Sequence, residues 1–592
     1  MISFARERPL SPSWLRLACI SALGLVLTMA LWPVLFRHYP GSGGGDGVFF
    51  FRMIEAGKVS LLRWHELPLW NPYECGGVPL WDNPQSIAAS PLVLLLTSAS
   101  TAATIGAWII LHVTAGFVGL WLLSRSELGL SRGAAFVASC LFAFGLPISN
   151  HLGGGHTAFA GFVYSPLALL FWRRAEVDVR YAVGLGLLVA LMFYEGGVYA
   201  PALIALMLAA ETLTRLSSVR RALHVFRAGV VVVVVAGCVA AARLLPVIDQ
   251  IAHYKRQLDA ETDFVDWQML KDMYLDRWHA LHTPPHAYVW GEYVAYIGVI
   301  VLVFAMAGLL LSITRETWFF VTALIVFALM LGNFAHLAPW TLLRTYVPPF
   351  PSLRVPSRFR LLFVMFIAGY AGIAVDRLPI FLVRIFGSRP LTRAAGVAIA
   401  CVALFGAGDV ASHAVDVINT QWDGPLPGAV TPSAQLFLGG PGIAQFIDQP
   451  RQNRGRLECW EEWAPHAGAP LWTGNVPQAR SEGDKAHIEN VSRTQNSFTI
   501  EVRADEPTTI LLNTSFARGW RTSVGRTRAQ NHELVVDVPA GHHTVRVWYW
   551  PVGLTAGFWV TGVSLALSLI ALIALARLPQ GPTQVSRRVA DW

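Results

Sequence analysis

Residues 41–91 read GSGGGDGVFFFRMIEAGKVSLLRWHELPLWNPYECGGVPLWDNPQSIAASP, and they follow an apolar segment at residues 15–36. This stretch is too polar to lie in lipid. A glycine run ends at Asp46, and an amphipathic piece at residues 48–62 follows, with Arg52, Lys58 and Arg63 on a cationic side. Prolines and aromatic residues fill the rest. The pattern predicts an interfacial helix followed by a rigid, aromatic-lined loop across the membrane surface.

The composition around this stretch is that of an integral membrane protein. The chain has 592 residues, of which 54% are hydrophobic and 14% charged, and its mean hydropathy is +0.48. Soluble domains carry about 25% charged residues. The net charge of +8 does not indicate nucleic-acid binding, because most basic residues fall in short loops where membrane topology accounts for them.

Apolar segments recur along the chain and predict about twelve transmembrane helices in an all-α polytopic bundle. Residues 15–36 have no small-residue cleavage site after them, so we expect an anchor rather than a removed signal. Residues 91–99 are shorter and predict a half-helix that dips in from the first loop. The segments are 15–36, 104–123, 133–148, 157–172, 181–193, 198–213, 228–248, 294–313, 317–331, 359–375, 394–408 and 552–576.

The distribution of Lys and Arg predicts the orientation. With the N terminus inside, every cytoplasmic loop is brief and basic, whereas the short outer turns at residues 149–156 and 194–197 contain no Lys or Arg. Both termini are therefore expected in the cytoplasm, and the long pieces lie outside: residues 37–101, 249–293, 332–358 and 409–551.

The last outer piece predicts a separate domain. Residues 497–503, 508–514, 520–524, 533–538 and 543–550 alternate apolar and polar side chains between turn signals, which is typical of a small antiparallel β-sandwich. We expect a bundle at 1–410 with the first outer loop at 37–101, an outer domain at 411–551 whose sandwich is mainly 495–551, a final helix at 552–577 and a cytoplasmic tail at 578–592. Cys75 and Cys459 both lie outside, and the sequence leaves open whether they pair.

Asp46 is the first candidate for chemistry. It follows three glycines, which allow the backbone to approach a ligand closely. A nucleotide-phosphate loop is excluded because no Gly-Lys-Ser/Thr follows. Asp46 is either a helix N-cap or a catalytic carboxylate, and the two roles are compatible.

Arginines near the outer surface are candidates for binding phosphate. Arg354 and Arg358 sit at the outer mouth of the tenth segment, where guanidinium groups suit a phosphate or diphosphate. Arg360 follows them and is interpreted as reaching for ordinary lipid phosphates. Arg243 lies inside an apolar segment, where a charge indicates function, and its expected partner is Asp249, Glu195 or a bound anion.

Two short outer turns add polar side chains to the expected cavity. His151 and His156 flank the four residues LGGG at 152–155, and Glu195 lies in the next outer turn. We expect them to hydrogen-bond substrate, with a divalent metal ion as the alternative. Residues 279–292, which contain His282, His286 and Glu292, line substrate or pack as a loop; the sequence leaves this open.

Several strings of residues resemble a known family. They are Gly45-Asp46-Gly47, ELPLWNPY at 66–73, GGVPL at 76–80, NPQ at 83–85, LLP at 244–246, EYVAYIG at 292–298, LG at 331–332, LRVPSRF at 353–359, GW at 519–520 and VPAG at 538–541. In this order they resemble bacterial YfhO-like membrane proteins of the GT-C class of glycosyltransferases. The resemblance covers most of the chain.

The resemblance implies transfer of a sugar from a polyprenyl-phosphate-linked donor to a cell-envelope glycan or lipid acceptor, outside the bacterial cytoplasmic membrane. It places Asp46 at the reaction centre, and we expect inversion at the sugar. No cofactor is implied with certainty, and a divalent metal is the open alternative. Nucleic acid is not an expected partner. The expected substrate-binding residues are Trp70, Asn71, Asn83, Gln85, His151, His156, Glu195 and Glu292, with Arg354, Arg358 and Arg243 on the donor phosphate.

Two other functions remain as alternatives: a transporter or flippase of lipid-linked sugars, and a non-catalytic scaffold that binds glycan. Long outer loops without matching cytoplasmic ones disfavour alternating access, because a transporter needs comparable polar groups on both sides.

Overall fold

The computed structural model describes residues 14–39, 46–254, 263–278, 288–348, 350–386, 389–424, 432–433, 435–439, 449–459, 469–483 and 485–577. At residues 46, 386, 389–393 and 576 it describes the backbone alone.

Helices make up most of these residues. They are α1 Trp14–Leu31, α2 Asp46–Arg63, α3 Pro91–Leu95, α4 Thr101–Ser126, α5 Arg132–Ala143, α6 Leu146–Gly153, α7 Ser165–Ala175, α8 Val179–Tyr194, α9 Ala200–Leu213, α10 Val219–Val239, α11 Ala241–His253, α12 Trp267–Leu275, α13 Gly298–Ser312, α14 Thr317–Met330, α15 Pro339–Tyr346, α16 Arg360–Phe386, α17 Arg389–Gln421 and α18 Leu554–Arg577. Short 3₁₀ helices at Thr157–Tyr164, Trp290–Glu292 and Pro356–Phe359 matter for the site.

Within the described residues, seven helical stretches are long and apolar enough to cross a membrane, and four further apolar helices have 10–17 residues. Each apolar segment expected from the sequence contains helix, including the short one at α8. The number of spans and their sidedness stay predictions.

The segment at residues 228–248, expected to be one helix, divides at Ala240 into α10 and α11. Pro246 lies inside α11 and has no N–H for the carbonyl of Ala242, four residues earlier. The indole of Trp81 donates to that carbonyl instead, at 2.8 Å. The first outer loop thus supplies a hydrogen bond that the helix cannot make for itself.

The prediction that α2 is an interfacial helix is wrong, because two of its three cationic side chains are buried. Arg52 and Lys58 are 3% and 5% exposed. Arg52 forms an ion pair with Glu74 at 2.6 Å. Lys58 donates to the carbonyl of Ala99 and to Thr104 Oγ1. Partners distant in sequence thus satisfy both charges inside the protein.

The loop after α2 forms a hairpin whose strands, β1 Trp70–Asn71 and β2 Val78–Pro79, pair antiparallel. Cys75 in this hairpin forms a disulfide with Cys459, with Cα atoms 4.4 Å apart. The hairpin is therefore tied covalently to a segment far downstream.

The domain expected on the outer side is a two-sheet β structure, and the five strands expected from alternation are all present. One sheet has the order β10-β11-β8-β5 and the other β6-β7-β12-β9. Along β7, Phe498, Ile500 and Val502 are buried and alternate with more exposed residues. The strands are β3 Phe437–Leu438, β4 Arg454–Gly455, β5 Ala479–Ser481, β6 Ala486–Arg493, β7 Ser497–Ala504, β8 Thr508–Ser515, β9 Trp520–Thr522, β10 Arg526–Gln530, β11 Glu533–Val538 and β12 Gly541–Tyr549.

Candidate functional site

The glycine turn that follows α6 packs against the first turn of α2. Gly155 has φ +72°, and a Cβ atom there would lie 2.7 Å from Cα of Gly47. Only glycine permits this approach. Asp46 begins α2 next to Gly47, and its side chain lies outside the described residues. The contact brings the helix start that carries Asp46 beside the turn that carries His156.

The two histidines on either side of this turn contact each other. Nδ1 of His151 and Nδ1 of His156 are 3.0 Å apart. The ring of His151 stacks on Phe159, with centroids 4.0 Å apart and an interplanar angle of 2°. His151 is 2% exposed, whereas His156 is half-buried. The histidine of the pair that a ligand can reach is therefore His156.

Arg360 holds His151 from the other side, which corrects the interpretation that it reaches for lipid phosphates. Its guanidinium is fully buried and donates to Nε2 of His151 at 2.7 Å and to the carbonyl of Gly291 at 2.6 Å. A third bond goes to the carbonyl of Val294 at 3.0 Å. Arg360 thus joins α16, the histidine turn and residues 291–294.

Arg358 and Glu292 form a buried ion pair beside the histidines. Nε of Arg358 donates to Oε2 of Glu292 at 2.9 Å, and a second guanidinium nitrogen donates to Oε1. The guanidinium lies over the rings of Tyr199 and Phe159, at 4.2 and 4.9 Å. Burial alone would raise the pKa of Glu292, but Arg358 outweighs it and holds that pKa below its usual value. Glu292 is thus kept ionised.

Arg354 lies nearer the surface than Arg358. It is half-buried, and its guanidinium lies 5.7 Å from the ring centroid of Tyr288. The hydroxyl of Tyr288 donates to the carbonyl of Arg354 at 3.5 Å. Arg354 thus lies just before the short 3₁₀ helix Pro356–Phe359 that precedes α16, and Arg358 lies within that helix.

Arg243 does not have the partners expected for it. Its guanidinium is 1% exposed and donates to the backbone carbonyls of Asn83 and Ser86, at 2.5 and 2.7 Å. A guanidinium group has donors but no acceptor, so backbone carbonyls can accept its hydrogen bonds. Arg243 therefore fixes the first outer loop on α11. Unlike Arg358, which contacts the carboxylate of Glu292, it binds backbone carbonyls.

Glu195, which was expected to share a cavity with His151 and His156, has its hydrogen-bond partners elsewhere in the protein. Its carboxylate accepts from Ser90 Oγ at 2.9 Å and from Trp108 Nε1 at 2.5 Å, and it is fully buried. Nε2 of His112 lies 3.9 Å away. Glu195 thus links the start of α3 to α4. The contact that His151 and His156 make is with each other.

The four loop residues expected to bind substrate make contacts within the protein. Trp70 is fully buried and packs on Tyr549 and Trp520, with centroid distances of 4.7 and 5.1 Å. Oδ1 of Asn71 accepts from the N–H of Tyr73, and Oδ1 of Asn83 accepts from that of Gln85. Trp70 joins the loop to the β-sandwich, and the two asparagines shape the loop. A role of these three residues and of Gln85 toward substrate stays a prediction.

Among the side chains that the structure describes, no group of three or more His, Cys, Asp or Glu residues is placed to hold a metal ion. The alternative of a metal site therefore has no complete set of ligands in this part of the chain. The side chain of Asp46 and the residues His282 and His286 lie outside the described part of the chain.

Sequence reasoning missed Phe159 and Tyr199 as residues of the site. It also missed that the side chain of Arg360 points into the protein. Arg360 had a signal, because it opens an apolar helix, and a charge there indicates function. Phe159 and Tyr199 had none, since aromatic residues in apolar segments usually pack in the core.

Comparisons with known proteins give distant likenesses. No protein-family model matches the chain, and no curated protein is similar to it. Among solved structures, the arabinofuranosyltransferase AftD from Mycobacteria is 18% identical, with a TM-score of 0.44 over 69% of this chain and 27% of that one. The archaeal oligosaccharyltransferase AglB from Archaeoglobus fulgidus, in complex with an inhibitory peptide and a dolichol-phosphate, is 14% identical, with a TM-score of 0.41 over 78% of this chain and 66% of that one. A mutant of AftD gives a TM-score of 0.46 at 16% identity, over 76% of this chain and 33% of that one. This chain therefore spans less than two thirds of each of these proteins.

Proposed function

We propose that the protein transfers a sugar from a polyprenyl-phosphate-linked donor to a cell-envelope acceptor on the outer side of a bacterial cytoplasmic membrane. The observation that carries the proposal is the contact of Gly155 with Gly47, which places the start of α2 beside the histidine turn. Arg360 binds His151 of that turn, and Arg358 lies two residues earlier in the chain. Residues 46–47 and 353–359, which resemble GT-C motifs, thus belong to one neighbourhood.

In the proposed reaction, Asp46 is the general base. It accepts the proton of the acceptor hydroxyl as that oxygen attacks the anomeric carbon. The bond from the anomeric carbon to the phosphate oxygen breaks, and the electron pair leaves with the polyprenyl phosphate. The configuration at the sugar inverts, because attack and departure occur on opposite faces.

Arg354 and Arg358, at the outer mouth of the tenth apolar segment, would stabilise the charge on the leaving phosphate. Arg358 is held by Glu292 and stacked on Tyr199, so it offers a fixed positive charge without reorganisation. Arg354 is half-buried and offers the more accessible guanidinium. Arg243 is not included, since its guanidinium binds the loop carbonyls.

The decisive experiment uses purified full-length protein in detergent, a radiolabelled polyprenyl-phosphate sugar and envelope glycan as acceptor. Asp46→Asn should lower transfer by about 10²-fold to 10⁴-fold, the usual contribution of a general base. Asp505→Asn, at an exposed position in the β-sandwich, is the matched control.

Wild-type transfer by correctly inserted Asp46→Asn would refute the role of Asp46. Turnover that is unchanged in chelator would exclude the metal-assisted version. A protein that moves no label in detergent, but moves the lipid-linked sugar across vesicle membranes, would be a flippase instead.

A further inference from the structure

The hydrogen bonds around His151 determine which of its nitrogens carries a proton. The guanidinium of Arg360 is only a donor, so Nε2 of His151, at 2.7 Å, must accept. An accepting nitrogen carries no proton. The imidazole of His151 is therefore neutral, with its proton on Nδ1.

The same reasoning extends to His156. The only hydrogen between the two Nδ1 atoms, 3.0 Å apart, is that of His151, so Nδ1 of His156 accepts it. A neutral His156 then carries its proton on Nε2. The ring of Phe159 stacks on His151 and packs at a tilt on His156, with 5.8 Å between the centroids of the latter pair. This packing constrains the ring planes of both histidines.

The charged groups around the two histidines favour an anion as the ligand. The guanidinium of Arg360 binds His151 and backbone carbonyls, which carry no negative charge. The carboxylate of Glu292 is paired with Arg358. A second cation beside Arg360 would be repelled, whereas a phosphate would be attracted.

We propose that His156 donates a hydrogen bond from Nε2 to a phosphate oxygen of the lipid-linked donor, and that Arg360, acting through His151, fixes this direction. His156 is then a binding residue, while Arg360 and His151 are positioning residues. The identity of the ligand rests on the function proposed above; the direction of the hydrogen bonds does not.

The first test reads the protons directly. The full chain is labelled with ¹⁵N at its 17 histidines, and the signals of His151 and His156 are assigned from their loss in His151→Phe and His156→Gln. We expect the proton of His151 on Nδ1 and that of His156 on Nε2 at neutral pH. A proton on Nε2 of His151, or a doubly protonated His151, would overturn the inference.

The second test measures the affinity for polyprenyl phosphate alone. His156→Asn places its amide near the position of Nδ1, too short for the Nε2 contact, and should weaken binding about tenfold or more. His156→Gln reaches the Nε2 position and should restore most of the affinity. His487→Asn, at an exposed position on β6, is the control. Equal affinity in the Asn variant, the Gln variant and the wild type would overturn the binding role.

The positioning role has its own readout. His151→Phe retains stacking on Phe159 but removes both hydrogen bonds, so His156 should show a mixture of tautomers and weaker binding. If His156 keeps its proton on Nε2 alone in that variant, the positioning role is refuted. Tight, His156-dependent binding without any sugar transfer would refute the enzymatic function and leave this inference intact.

Discussion

The hydroxyl of Tyr549, on the last strand of the β-sandwich, donates a 2.7 Å hydrogen bond to Oδ2 of Asp82 in the first outer loop. Both side chains are buried, at 2% and 4% exposed. Burial raises the pKa of Asp82 to about 7, although the bond from Tyr549 and the charge of Arg243 act in the opposite direction. The junction between loop and sandwich therefore contains a carboxyl that titrates near neutrality.

This carboxyl predicts a pH dependence of stability. Because the folded-state pKa of Asp82 lies above the unfolded value, the folded state binds more protons between about pH 4 and pH 7. The contribution of Asp82 to the free energy of unfolding is thus full below pH 4 and is lost as the pH rises toward 7. Thermal unfolding of the wild type and of Asp82→Asn should diverge across this window, with the variant gaining relative stability at high pH. Parallel pH profiles would contradict this prediction.

Breaking the pair of Arg358 and Glu292 should destabilise the protein strongly. Glu292→Gln leaves the guanidinium buried without its counter-charge, which costs about 3–5 kcal/mol in comparable pairs. The side chains of this pair are 7% and 18% exposed, against 56% and 55% for Lys485 and Glu506. Glu506→Gln is therefore the matched control and should change thermal stability little. Equal shifts in the two variants would contradict the prediction.

The close approach of Gly155 to Gly47 can be tested with a second glycine of similar backbone conformation. Gly155 and Gly129 have φ of +72° and +66°, but a Cβ atom at Gly129 would meet nothing within 4 Å. Alanine at either position costs about 1–2 kcal/mol of backbone strain. Only Gly155→Ala should also push the histidine turn away from α2, and a displacement of about 1 Å can lower activity 10²-fold. Equal transfer rates for Gly155→Ala and Gly129→Ala would show that the contact does not matter.

The disulfide between Cys75 and Cys459 should hold the hairpin in place. Cys75→Ser is expected to lower the free energy of unfolding by about 2–5 kcal/mol, whereas Cys401→Ser, at an exposed free thiol, should not. Maleimide labelling of the denatured chain should modify four thiols before reduction and six after it. Six labelled thiols without reductant would contradict the pairing.

Hydropathy and alternation were sufficient to predict most of the secondary structure, because both report a local pattern. The apolar segments became helices and the alternating segments became strands β7, β8, β9, β11 and β12. The environment of α2 could not be predicted in this way. Its cationic face suits water or headgroups equally well, and only the fold places Glu74 beside Arg52.

The sequence indicated which residues to consider for the candidate site better than it indicated which of them contact each other. Arg358, Glu292, His151 and His156 were all singled out, and the structure brings them together. Sequence offered no means to know that Arg243 binds the carbonyls of the first loop, or that Glu195 contacts Ser90 and Trp108. A side chain finds its partner through the fold, and spacing along the chain does not contain that information.

The bond between Asp82 and Tyr549 joins residues 467 positions apart, which imposes an order on biogenesis. The ribosome releases the first loop long before β12 exists, so that loop is at first without the strands on which Trp70 and Asp82 pack. Only synthesis of the final strands, just ahead of α18, completes this junction. A stalled or truncated chain would therefore keep its first loop unfinished.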